Sequence, residues 1–99
     1  MIGTLSRVEV KAAKCQAFIE WDVRVAKERE PGALRFDLYQ DPKDENAFFV
    51  YEAYRDQNAF EEHKKNKPYQ YWESHIRPEM VTCFESFFEQ VEAMHALVT

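Results

Sequence analysis

Glycine is almost missing from this chain, with only Gly3 and Gly32 among 99 residues. A glycine-rich phosphate loop, a dinucleotide fingerprint and a nucleophile elbow each need closely spaced glycines, so all three are excluded. Cysteine is equally sparse. Cys15 and Cys83 lack the paired spacing of a zinc site and the density of a disulfide scaffold, and both are expected to be reduced core residues. His63, His75 and His95 are too scattered to form a metal set, so no metal and no resident cofactor is expected. A surplus of positive charge is also lacking. The formal charge of -5 argues against nucleic acid or an anionic membrane as partner, because binding either requires a basic surface that displaces counterions. No apolar run approaches the length of a membrane span, and the opening MIGTLSRVEV alternates polar positions where a signal peptide would be continuously apolar. A cytoplasmic location is expected.

Aromatic residues are plentiful instead, at 15% of the chain. Rings bury large apolar areas and also offer flat walls to a flat ligand. The length suits a single domain spanning residues 1–99, and at this size a second copy is expected to cover the other face of a sheet.

The chain divides cleanly into elements. Thr4 to Val10 alternates as a first strand, with Val8 and Val10 on one side and Arg7 and Glu9 on the other. From Ala12 to about Arg29, Cys15, Phe18, Ile19, Val25 and Ala26 form one helical stripe that Pro31-Gly32 ends. Leu34, Phe36 and Leu38 alternate with Arg35, Asp37 and Tyr39 in a second strand that stops at Asp41-Pro42. Lys43 to Asn46 is read as a polar connection. Phe48-Phe49-Val50-Tyr51 is apolar at both parities, which predicts a third strand covered on both faces. Asp56 caps a short helix carrying Ala59, Phe60 and His63 on one face. Pro68 restarts the helix through Tyr69, Trp72 and Ile76, and Pro78 is expected to stop it. Met80 to Phe88 forms a fourth strand. Residues 89–99 place Val91, Met94, His95 and Val98 at helical spacing and are expected to dock on the domain or its partner.

Strand, helix, two hairpin-linked strands, broken helix, strand is the split β-α-β order of a ferredoxin-like α+β fold. Helices then cover one sheet face. The aromatic face left over predicts a homodimer joined sheet to sheet.

The runs EPGALRFDLYQDP and FFVYEAYRDQNAFEEHKK resemble the antibiotic biosynthesis monooxygenase (ABM) family of dimeric α+β barrels, over about residues 2–88. The resemblance includes Pro31-Gly32, Asp41-Pro42, Glu52 before Tyr54, Asp56 at the cap, and His63 followed by Pro68. LRFD, QDP, YEAY and HK are similar to the autoinducer-2-degrading branch, whose members act on a phosphorylated diketone sugar. Two departures from the family pattern narrow the chemistry. Tyr69 stands where many members carry a histidine after the proline, which speaks against a two-histidine mechanism. The first strand lacks the asparagine of haem-degrading members, and His63 takes the place of their tryptophan, which argues against haem breakdown.

His63 is the leading catalytic candidate, because an imidazole on the inward face takes a proton near neutral pH. A core histidine satisfied by a backbone carbonyl is the bland alternative. Asp22 is the second candidate, since it falls inside the apolar stripe of the first helix, where a carboxylate must be paired, protonated or beside a polar cavity. Arg7 or Arg35 as its partner would make it structural. Glu52 poses the same question, with a cross-sheet salt bridge as the expected answer. Tyr51, Tyr54, Tyr69 and Trp72 are candidate pocket walls and oxyanion donors, and Arg35 is a candidate anion-binding fork. Lys64 is a further phosphate candidate.

Three functions fit these residues. One is cofactor-free monooxygenation of a quinol or polyphenol, with His63 as base. The second is acid-base isomerisation of a phosphorylated hydroxy-ketone, with His63 and Asp22 or Glu52 moving the proton. The third is a non-catalytic module that binds a hydrophobic metabolite. The family resemblance places the oxygenase first.

Overall fold

The structure, a computed structural model, describes the backbone of residues 1–92 and side chains through residue 87. Strands β1 (Ile2–Val10), β2 (Ala33–Asp41), β3 (Asp44–Tyr54) and β4 (Val81–Glu92) form one antiparallel sheet in the order β2-β3-β1-β4. This is the ferredoxin-like α+β arrangement expected from the element order. Helix α1 (Cys15–Lys27) crosses from β1 to β2 after a single 3-10 turn at Ala12–Lys14. Between β3 and β4 run α2 (Gln57–Lys65), α3 (Lys67–Tyr71), a π-helical turn (Trp72–Ile76) and α4 (Arg77–Met80).

Alternation decides what each strand offers to the helices. Thr4, Ser6 and Val8 of β1 lie opposite Glu52, Val50 and Phe48 of β3, and Phe36 and Leu38 of β2 lie opposite Glu52 and Val50. These residues share the helix-covered face. The main core joins Val8, Val10, Phe48 and Val50 to Phe18 of α1 and Ile76 of the π turn. A smaller cluster joins Ile2, Ala33 and Tyr54 to Phe60 of α2. The opposite face displays Tyr39 and Phe87, 53% and 48% exposed, with Phe87 stacked on Phe49.

Several boundaries differ from the sequence reading. Only Pro42 and Lys43 separate β2 from β3, because the Asp41 carboxylate accepts the Lys43 N–H at 2.8 Å and closes the turn early. Pro78 does not end the helical region. The Arg77 N–H bonds back to the Trp72 carbonyl, five residues earlier, and this wider turn lets the chain absorb a residue without an N–H. Leu34 is exposed, because the β2 register shifts between Ala33 and Arg35. Val91 pairs with Gly3 inside β4 instead of starting a helical tail. The expected docking of residues 89–99 otherwise falls outside the described residues. Cys83 is exposed and so is not a core residue, while Cys15 is half-buried; both are free thiols.

Candidate active site

The Pro31-Gly32 turn and the start of α2 meet closely enough to set the geometry of the site. A Cβ on Gly32 would stand 2.6 Å from the Cβ of Ala59, so only glycine permits this approach without a shift. The Gly32 carbonyl accepts the Arg55 N–H at 2.9 Å, which ties the turn to the end of β3. Asp56 caps α2 by accepting the Ala59 N–H at 2.8 Å. These contacts aim the inner face of α2, Phe60 and His63, down onto the sheet.

His63 is 8% exposed, with a carboxylate facing each ring nitrogen. Its Nδ1 lies 3.1 Å from Glu30 Oε1, the same oxygen that accepts the Asn66 Nδ2 at 2.9 Å. An ionised carboxylate only accepts, so Nδ1 carries the hydrogen. Burial opposes ionisation of Glu30, but the hydrogen bonds from Asn66, the backbone and His63 outweigh it, and the carboxyl is held below its ordinary value. The other ring nitrogen, Nε2, faces Glu52 Oε1 at 3.5 Å. Glu52 Oε1 also accepts the Tyr54 hydroxyl at 2.5 Å. Glu52 therefore engages the histidine on the helix side, where a cross-sheet salt bridge had been expected.

Above Glu52 lies a cavity of about 240 Å³. Trp21, Phe36, Phe60, Tyr69 and Trp72 wall it, and Asp22, Glu52, His63 and Lys64 supply polar groups. Trp21 stacks on Trp72 at 6.1 Å between centroids, and Tyr69 meets the His63 ring edge-on at 5.4 Å. A volume below the roughly 300–1,000 Å³ of drug-sized pockets suits a ligand of one or two rings.

Asp22 lines this cavity and is 2% exposed. Neither arginine considered as its partner reaches it, since Arg7 pairs with Glu9 and Asp41 and Arg35 pairs with Asp37 at 2.6 Å. Its Oδ2 has no hydrogen-bond partner among the described residues. Burial first, and then the nearby Glu52 carboxylate, push the Asp22 carboxyl up to about 7.

The remaining candidates separate by face. Tyr69 and Trp72 line the cavity. Tyr54 stands behind it, 1% exposed and tilted against His63 at 5.0 Å, with its hydroxyl committed to Glu52. Burial, then the Glu52 charge, raises the Tyr54 phenol far above its ordinary value, so it remains a donor to Glu52. Arg35 and Tyr51 are the corrections. Both are on the far face of the sheet, where Arg35 lies over the Tyr51 ring at 5.8 Å and the Tyr51 hydroxyl nears Gly3. Strand alternation forbids Tyr51 from sharing a face with Glu52. Glu30 and Asn66 went unrecognised in the sequence. The only available hint was a carboxylate directly before the breaker pair. Among the described residues, no group of three His, Cys, Asp or Glu side chains is arranged to hold a metal ion, and no helix is long and apolar enough to cross a membrane.

Comparison with known proteins agrees with this architecture. A solved structure from Nitrosomonas europaea, named for the antibiotic biosynthesis monooxygenases, is 31% identical, covers 87% of this chain and 93% of its own, and superposes with a TM-score of 0.75. A Deinococcus radiodurans structure of the same name, 17% identical and covering 98% of this chain and 99% of its own, reaches 0.80. One from Bacteroides thetaiotaomicron, 17% identical and covering 94% and 95%, reaches 0.73. At 17% identity the last two speak for the fold alone. No curated protein matches the chain. Residues 1–75 match the family model itself, and the chain belongs to the antibiotic biosynthesis monooxygenase family.

Proposed function

We propose that the chain is a cofactor-independent monooxygenase that oxidises a quinol or polyphenol-like molecule. The observation that carries this reading is His63, buried at an aromatic cavity with Glu30 fixing one ring nitrogen and Glu52 facing the other. With Nδ1–H donated to Glu30, Nε2 is the basic nitrogen and takes the proton of a phenol placed beside it. The imidazolium that forms lies between two carboxylates, which favour its charge as the aspartate of a hydrolase triad does. The phenolate, shielded from water by the rings, passes one electron to dioxygen, and the radical pair recombines as a ring hydroperoxide. Loss of the ring C–H proton and cleavage of the O–O bond then leave one oxygen in the product as a carbonyl and release the other as water. The substrate supplies all the electrons.

The isomerase reading loses one of its phosphate holders, because Arg35 is on the wrong face. Lys64 and Arg77 do line the cavity, but so do Glu52 and Glu73, two carboxylates set against a phosphate dianion. The homodimer belongs to the same proposal. Tyr39, Phe49 and Phe87 on the far face, exposed or half-exposed in one copy, support pairing sheet to sheet.

Oxygen uptake with a panel of quinols tests the reaction, since neither isomerisation nor sequestration consumes oxygen. His63→Ala is expected to lower uptake by about 10²–10⁴-fold. Full uptake in that variant removes the base assignment. Tight ligand binding without any uptake favours the binding module.

A further inference from the structure

We propose that Asp22 acts inside the cavity as a neutral carboxylic acid that donates a hydrogen bond, so that the bound molecule presents a carbonyl or developing oxyanion to it. This rests on the reading that the cavity holds the substrate, and it adds a second polar anchor opposite in character to His63. His63 accepts a proton from the ligand; Asp22 gives a hydrogen bond to it.

The placement is the main support. Asp22 is on α1 among Phe18, Trp21 and Val25, which also line the cavity, and its side chain is almost wholly removed from solvent. One of its oxygens, Oδ2, finds no hydrogen-bond partner among the described residues. A buried polar atom without a partner is destabilising, so its retention at a cavity wall points to a partner that arrives with the ligand. The charge nearby is of the wrong sign to hold a carboxylate, because Glu52 is the charged group that acts on it. Asp22 also borders a second depression toward β2, with Asp37, Lys27 and Arg29 at its edge. Phe36 and Tyr39 are the rings of that depression, whereas Trp21, Phe60, Tyr69 and Trp72 are on the His63 side. A protonated carboxyl has an O–H donor that a carboxylate lacks, and in an apolar site that donor stabilises charge moving onto a ligand oxygen. When His63 removes a phenolic proton, conjugation spreads the negative charge to the ortho and para ring carbons and onward to the oxygen of any carbonyl conjugated with them, and that oxygen is the one offered to Asp22.

Equilibrium dialysis at about pH 5.5, where the Asp22 carboxyl holds its proton, with 1-tetralone and tetralin, which differ by one carbonyl oxygen, tests this without turnover. The ratio of the two affinities is measured in the unaltered protein, in Asp22→Asn and in Asp22→Leu. The asparagine amide still donates, so the ratio is expected to change by less than about twofold. Leucine cannot donate, and the preference for the ketone is expected to fall about tenfold, the equivalent of one hydrogen bond. An unchanged ratio in Asp22→Leu, or an equal fall in Asp22→Asn, overturns the donor role while leaving the cavity reading intact. Failure of both probes to bind the unaltered protein overturns both.

Discussion

Replacing Asp22 by asparagine isolates one buried proton, and its effect on stability is set by pH. In the unfolded chain this carboxyl titrates near its ordinary 3.8, whereas in the fold it is raised to about 7. Between those values the native state binds a proton that the unfolded state has released. Stability of the unaltered protein therefore falls as pH rises through this window, is free of the penalty below it and levels off above it. A separation of about three pH units at about 1.4 kcal/mol each gives a penalty of about 4 kcal/mol on the alkaline plateau. Asparagine has nearly the same shape and cannot ionise. Asp22→Asn should match the unaltered protein near pH 4 and exceed it by up to about 4 kcal/mol at pH 8, read from urea unfolding at a series of pH values. A difference that does not vary with pH would show that folding leaves the Asp22 carboxyl unshifted, and an asparagine variant that is less stable at pH 8 would show that Asp22 is ionised and paired in the native state.

Other outcomes are set by the contacts around His63 and by the two sheet faces. Glu30→Gln keeps an acceptor for Nδ1 but removes a charge facing the imidazolium; kcat with an accepted quinol should fall about tenfold with KM nearly unchanged, and its pH profile should move, whereas a purely structural role would leave the profile in place. Gly32→Ala forces a methyl against Ala59 and should cost about 1–3 kcal/mol, of which Gly32→Ala combined with Ala59→Gly recovers a part in thermal melts. Phe48→Ala, at the centre of the main core, should cost about 3–5 kcal/mol by urea denaturation. Phe87→Lys places a charge on the far sheet face and should shift sedimentation from dimer to monomer with the helical content intact; a dimer that survives the change, or a monomeric unaltered protein, refutes sheet pairing.

The order of elements was legible because each carries its own local signal. Asp56 reads as a cap and proves to be one, and the α1 stripe puts Asp22 inward whatever it packs against. The strand faces were harder. Phe48, Phe49, Val50 and Tyr51 are apolar at both parities, so composition did not say which parity meets the helices; Tyr51 was read as a pocket wall and Glu52 as half of a cross-sheet salt bridge. Arg35 was already on the parity opposite Phe36, and its exclusion from the cavity is what alternation alone required. Pro78 misled for a different reason: a proline lacks one N–H, and whether a helix ends there depends on whether the preceding turn can widen.

What the amino-acid order settles by itself is the succession of strands and helices, the inward aspect of Asp22 and His63, and the acidic, glycine-poor character of the chain. These depend on backbone preferences and periodicity, which act over a few residues. The tertiary structure alone decides that Glu30 meets a histidine 33 positions away, that Glu52 rather than Tyr51 faces the cavity, and that neither Arg7 nor Arg35 reaches Asp22. Such pairings arise where separate elements cross, and their geometry depends on packing that no local pattern encodes.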